Sequence, residues 1–235
     1  MQATSWEFKN RALVFGLIFA LGFSVYSFDH ANATGAFADW LGPKLGISAE
    51  LLARLLLGCA ALMLALAALI RTWASSFLQT DVVYAAEVKS ASLVADGPYR
   101  RVRNPLYFAN QLLAIGMGAM MSRAGFVVMI AAMLIFCYRL IFREESELRT
   151  SQGEQYERFA RAVPRLWPSI VPRIASAGRH AKWSEGFKSE FWCWGFAASV
   201  AAFAITLNNA AFFGILGASV ALLWLLSMLF QKRAA

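Results

Sequence analysis

Gly97-Pro98-Tyr99-Arg100-Arg101-Val102-Arg103-Asn104-Pro105-Leu106-Tyr107 sets three arginines and two tyrosines against the start of an apolar run. A double acid, Glu144-Glu145, follows directly on the next apolar run. If the two runs form an antiparallel pair of membrane helices, the cluster that opens the first and the cluster that closes the second meet at one end. A pocket there is open to water for a soluble ligand and to lipid for an apolar one. That geometry points to chemistry performed on lipids.

The 235 residues are 59% hydrophobic and 15% charged, with a mean hydropathy of +0.53, which is too apolar for a soluble domain of this size. The chain reads as an integral membrane protein. Cys59, Cys137 and Cys193 each stand alone in an apolar run, a pattern of neither a disulfide framework nor a zinc site. His30 and His180 are the whole histidine complement and fall in expected loops, so no metal centre is expected. Lysine and arginine number 22 against 14 aspartates and glutamates. Their uneven distribution reports orientation in a membrane, and no nucleic-acid partner is expected.

Six apolar runs approach the roughly 17 to 25 residues of a spanning helix: about 12–28, 51–70, 105–121, 124–142, 191–207 and 211–230. The expected fold is all-α, a polytopic membrane protein of about six transmembrane helices. Ser122-Arg123 between the third and fourth runs, and Asn208-Asn209 between the fifth and sixth, leave room only for tight hairpins. Lys9, Arg11, Arg71, Lys89, Arg100, Arg101, Arg103, the basic residues from Arg143 to Lys188, and Lys232-Arg233 share one side, with chiefly Lys44, Arg54 and Arg123 opposite. The positive-inside rule then puts both termini and both polar clusters in the cytoplasm. The first run is expected to stay as an anchor rather than be cleaved at Ala36-Phe37-Ala38. Three parts follow: N-terminal transmembrane helices over 1–70, a core over 71–172, and a basic linker with a C-terminal hairpin over 173–235.

Tyr107, Gln111, Ala114 and Gly118 recur at helical spacing and lay a polar and small stripe along the third run. Gly116 and Gly118 serve equally for close helix packing, and Gln111 tilts the stripe toward a ligand. Pro105 is an ordinary first helical residue and Asn104 an ordinary N-cap. Juxtamembrane arginines commonly meet lipid phosphates, but three in four positions beside two tyrosines exceed what topology needs. Glu144 and Glu145 must be solvated or paired where they leave the membrane; a carboxylate also accepts two hydrogen bonds from ribose hydroxyls. Arg139 has a snorkelling position. Tyr156, Phe159, Val163, Pro164, Arg165 and Trp167 read as an interfacial anchor or as a flap over the pocket.

In this order the motifs resemble a family: Gly-Pro-Tyr at 97–99, Arg-Asn-Pro-x-Tyr from Arg103 to Tyr107, Gly-x-Gly at 116–118, Glu144-Glu145, Tyr156, and Val163-Pro164-Arg165-x-x-Pro168. The pattern looks like the integral-membrane methyltransferases that include isoprenylcysteine carboxyl methyltransferases and phospholipid N-methyltransferases, over residues 71–172. Many members carry Arg-His-Pro where this chain has Arg103-Asn104-Pro105. The resemblance implies S-adenosylmethionine as cofactor and a lipophilic or lipid acceptor. It implies a cofactor site of Tyr99, Arg103, Asn104, Pro105, Tyr107, Gln111, Gly116, Gly118, Glu144, Glu145, Tyr156 and Arg165, with Arg103, Tyr107 and Glu144 nearest the chemistry. Arg103 suits the methionine carboxylate, Glu145 or Glu144 the ribose, and Tyr107, Tyr156 or Trp167 the adenine. Two other readings compete: an NADPH-dependent reductase of sterol-like lipids, whose 2′-phosphate the arginines would meet, and a non-catalytic membrane protein. The motif order favours the methyltransferase.

Overall fold

The computed structural model describes residues 2–78 and 95–231; Val82, Val83, Tyr84, Lys89, Lys232 and Arg233 lie outside the described residues. Helices run Ser5–Lys9 (α1), Arg11–Ser24 (α2), Ala33–Leu45 (α3), Ala49–Phe77 (α4), Pro105–Gly118 (α5), Arg123–Gln152 (α6), Glu154–Ala162 (α7), Trp183–Thr206 (α8) and Asn209–Gln231 (α9), with 3-10 turns at Val25–Ser27 and Gly97–Arg100. Among the described residues there is no strand, only an isolated bridge between Asn32 and Ser122.

All six apolar runs form helices, but among the described residues only α4 and α6 are both long and apolar enough to cross a membrane. The third run makes a helix of 14 residues that stops at Gly118 rather than reaching 121. The backbone turns there, with Met120 and Met121 donating to Met117 and Gly118 carbonyls at 3.0 and 2.9 Å. Ser122 then caps α6 by accepting from Gly125 N at 3.1 Å, which supplies one of the amide partners a helix start lacks.

Side-chain contacts fix the direction of each helix. Phe15 meets Phe136 while Gly22 meets Met129, so α2 and α6 are antiparallel. Arg71 meets Asn110 while Leu64 meets Gly116, so α4 and α5 are antiparallel. Tyr107 meets Glu144 while Gly118 meets Phe126, which sets α5 against α6 in the same sense. Arg71 pairs with Glu190 while Arg54 reaches the carbonyl of Ala204, and Phe203 packs on Phe212, so α8 opposes α4 and α9 opposes α8. The hairpins expected at 122–123 and 208–209 are therefore present.

Gly116 and Gly118 belong to this packing. A Cβ on Gly116 would sit 2.6 Å from Leu64 Cγ, and one on Gly118 2.5 Å from Phe126 Cδ2. The missing side chains let α4 and α6 approach α5, so the Cβ side of both glycines faces protein, the helix-packing role that their sequence equally allows. At the same end of the bundle Tyr26 and Thr34 donate hydroxyl hydrogen bonds to the carbonyls of Met120 and Ala119, at 3.0 and 2.7 Å, and Arg123 pairs with Asp29 at 2.9 Å.

Candidate functional site

The opposite end of the bundle carries the chemistry. After α7 the chain has three prolines, Pro164, Pro168 and Pro172, which deny it helix and leave its backbone groups for other partners. It lies as a strap along the 96–104 turn. Arg103 N donates to Pro164 O at 2.8 Å, Ser169 N to Arg101 O at 2.9 Å, Arg173 N to Arg100 O at 2.8 Å and Lys182 N to Ser76 O at 2.7 Å. Arg100 Nε donates to Ile174 O at 2.9 Å, and Arg101 to Ile170 O. Two of the three motif arginines thus hold the strap.

Asp96 is the strap's far fastening. It is buried and accepts from Ser176 Oγ at 2.5 Å and from the amides of Ala177 and Arg179, both at 3.0 Å. Burial pushes its pKa up, but the hydrogen bonds from Ser176, Arg179 and Ala177 outweigh it and hold the carboxyl below its ordinary value. A depressed folded pKa means that this stabilisation is complete above the unfolded value of about 3.9 and is lost as pH falls through the folded one. Asp96→Asn should therefore melt below wild type at neutral pH and be cut faster by trypsin at Arg179 and Lys182. The melting difference should close as both proteins are acidified below about pH 4. A gap that stays constant with pH would show that the carboxylate charge is not what fastens the strap.

The third arginine turns inward. Glu145 is buried, at 1% exposure, and three guanidinium groups surround it: Arg165 Nη2 at 2.9 Å, Arg103 Nη1 at 3.2 Å and Arg149 Nη2 at 3.8 Å. Asn104 Nδ2 donates to Arg165 O at 3.0 Å and to Glu145 Oε1 at 3.4 Å. Asn104 occupies the N-cap position of α5, yet its side chain makes no capping bond and serves this cage instead. Arg149 also pairs with Glu157 at 2.8 Å, so three guanidiniums meet two carboxylates and the cage is net positive by one. Arg103 Nη1 is close enough to Glu145 for charge attraction but out of line for a hydrogen bond. Both Nη1 and Nε of Arg103 are therefore buried donors with no acceptor among the described residues. An unsatisfied buried donor costs about 1 to 3 kcal/mol, so the arrangement favours an added anion.

Tyr156 closes one wall. Its ring lies 5.9 Å from the Arg149 guanidinium, and burial, then the charge of Glu145, raise its phenol to about 12 against the opposing pull of Arg103. Beside the cage, the Tyr107 hydroxyl donates to Glu144 Oε1 at 2.5 Å, joining the first turn of α5 to α6. Tyr99 is buried where Glu144 and Glu190 both act on it; burial first, then those charges, push its phenol far above the ordinary value. Pro105 is the buried first residue of α5. Gln111 is buried and donates to Tyr107 O at 3.4 Å, within its own helix. Trp167 is largely exposed and meets Phe108 edge-on at 5.9 Å.

The sequence motifs therefore converge, apart from the glycines, on one end of α5 and α6. Further residues join them. Arg149, four residues past Glu145, is the helical neighbour that the i,i+4 rule offers the double acid as an ion-pair partner. The N-terminal arm also docks here: Ala3 N donates to Arg139 O at 3.0 Å, Glu7 pairs with Arg139 at 2.6 Å, and Arg143 reaches Ala3 O at 3.3 Å. Arg139, which had the position of a snorkelling residue, is thus ion-paired within the protein.

An all-helical bundle with two helices able to span a membrane and a buried arginine–carboxylate cage at one end defines the class as a membrane-type helical protein. Residues 54–155 match the phospholipid methyltransferase family model, in line with the superfamily that the motifs resemble. The chain is 30% identical over 88 residues to the nickel-cobalt-cadmium resistance protein NccN of Alcaligenes xylosoxydans xylosoxydans, covering 37% of this chain and 41% of that relative. It is 25% identical over 162 residues to the cobalt-zinc-cadmium resistance protein CzcN of Cupriavidus metallidurans, covering 69% of this chain and 65% of that relative. The chain thus spans less than two thirds of the length of either relative. No solved structure matches.

Proposed function

We propose that the protein is an integral-membrane methyltransferase that uses S-adenosylmethionine to methylate a lipophilic acceptor, an isoprenylcysteine-type carboxylate or a phospholipid amine. The observation that carries this reading is the Arg103 guanidinium, buried with two unpaired donors in a net-positive cage inside or beside the family-matched helices. The cofactor's amino-acid carboxylate is the anion that such a donor pair binds.

When bound, the cofactor supplies an electrophilic methyl group on a sulfonium. Arg103 would hold its carboxylate, with Glu145 and Asn104 keeping Arg103 and Arg165 in place. Tyr156 would offer an aromatic wall. Methyl transfer needs alignment and exclusion of water more than acid–base help. A carboxylate acceptor requires no base. An amine acceptor must first lose a proton, and Glu144, hydrogen-bonded to Tyr107, is the group we assign to take it. By the positive-inside rule the basic residues at this end support a cytoplasmic site, in a chain of six crossings with its termini on the same side and the acceptor entering laterally from the bilayer.

Two measurements test the reading. Calorimetry on the purified, folded protein should show binding of S-adenosylhomocysteine. Incubation with methyl-labelled cofactor and a total lipid extract should give a labelled lipid that identifies the acceptor. Absence of nucleotide binding, or NADPH recovered with the protein, would replace the methyltransferase by the reductase or the non-catalytic reading.

A further inference from the structure

Glu190 is an acid at the start of the apolar stretch of α8, directly after Lys188-Ser189, and is completely buried, outside the family-matched residues. Arg71 on α4 grips it as a fork, Nε to Oε2 at 2.6 Å and Nη2 to Oε1 at 3.2 Å, and Ser75 Oγ donates to Oε1 at 2.7 Å. The remaining arm of the fork, Arg71 Nη1, donates to Asn110 Oδ1 on α5 at 2.7 Å. Trp192 lies 5.2 Å from the guanidinium. Three helices therefore meet at one charged cluster in which Arg71 and Asn110 are also buried.

Holding α8 against α4 does not require these charges. Gly186 lets the helices touch, a Cβ there falling 2.5 Å from Thr72 O, and Trp194 Nε1 donates to Thr72 Oγ1 at 3.1 Å. Apolar residues of similar size commonly stabilise such a contact as well as a buried ion pair or better. What the ion pair adds is direction. A bidentate carboxylate fixes the plane of the guanidinium and so fixes where Nη1 points, which is at Asn110.

Asn110 lies one helical turn from Tyr107. α5 is thus held about its own axis from two sides, by Arg71 through Asn110 and by Glu144 through Tyr107, while Gly116 against Leu64 sets its distance from α4. A tyrosine hydroxyl lies roughly 8 Å from its helix axis, so a turn of about 10° moves it by more than 1 Å. Misplacement on that scale can reduce a rate by roughly a hundredfold.

We propose that Glu190 is a positioning residue of the methyltransferase site, acting through Arg71 and Asn110 to set the rotation of α5 and hence the placement of Tyr107 and the Arg103–Asn104 turn. The C-terminal hairpin is then part of the site's framework, although it lies beyond the family-matched segment. The inference rests on the methyltransferase reading above.

A double-mutant cycle on the full chain in detergent tests it, with S-adenosylhomocysteine as the probe. Glu190→Gln and Asn110→Leu should each weaken binding about tenfold in the folded protein and lower kcat more than they raise the acceptor KM. The combined variant should lose no more than the worse single one, because both cut the same link. If Glu190→Gln fails to fold, Arg71→Met with Glu190→Leu removes both charges; it should fold and show the same loss. Variants that melt lower but bind within twofold of wild type, or losses that multiply in the combined variant, would overturn the proposal. Failure of wild type to bind the nucleotide would overturn the methyltransferase reading instead, so the two failures are distinguishable.

Discussion

Glu145→Ala is expected to lower the melting temperature by roughly 6 to 12 °C. Removing one partner of a buried ion pair costs about 3 to 5 kcal/mol because it leaves the other charge uncompensated. The lower end applies here, since Arg165 and Arg149 are partly exposed and can turn to water, whereas Arg103 is nearly buried. For a chain of this length each kcal/mol moves the midpoint by about 2 to 4 °C. Glu145→Gln separates charge from packing: it keeps the volume and one acceptor, so a loss close to that of alanine identifies the negative charge as the stabilising element. A thermal melt in detergent reads the result, and a shift below about 2 °C for both variants would mean that the guanidiniums are satisfied without Glu145.

The dependence on Glu145 marks where sequence reading succeeds and where it stops. The convergence of Arg103, Asn104, Tyr107 and the double acid was legible because a short hairpin and helical periodicity leave few alternatives for where two flanking clusters meet. The partition of roles was not. Arg100, Arg101 and Arg103 look alike in sequence, and only the course of the strap sends the first two to its carbonyls and the third into the cage. Glu144 and Glu145 are neighbours, yet they point about 100° apart on a helix, so one meets Tyr107 and the other three arginines.

The glycines are ambiguous in sequence for a related reason. Gly116 and Gly118 mark close approach, but a missing Cβ does not say whether the approaching group is a helix or a ligand, and Leu64 and Phe126 fill the space. All six runs are helical, but among the described residues two are long and apolar enough to span a membrane. Apolarity persisted through the turn at 119–122, which hydrogen bonds to the carbonyls of Met117 and Gly118 close after 14 residues of helix. Glu190 was overlooked because, beside Lys188 and Ser189 at the start of an apolar run, it looks like an ordinary interfacial acid. Its partner, Arg71, lies 119 residues away in sequence, beyond the reach of any local pattern.

Arg103→Ala is expected to weaken binding of S-adenosylhomocysteine by about 1.5 to 3 kcal/mol, the worth of a hydrogen bond to a charged group, which corresponds to a Kd raised roughly 10- to 150-fold. The fold should tolerate the change better than loss of Glu145, because Arg165 and Arg149 still neutralise that carboxylate. Arg103→Lys should recover little, since an ammonium on a flexible stem cannot reproduce two donors fixed in one plane. The affinity loss should also exceed that of Arg165→Ala, whose guanidinium is committed to Glu145 through both Nε and Nη2. Calorimetry on variants that elute and melt as folded protein decides the matter. Wild-type affinity in folded Arg103→Ala would mean that the two unpaired donors do not face the nucleotide, and the anion for which the cage is built would have to be sought elsewhere, on the acceptor.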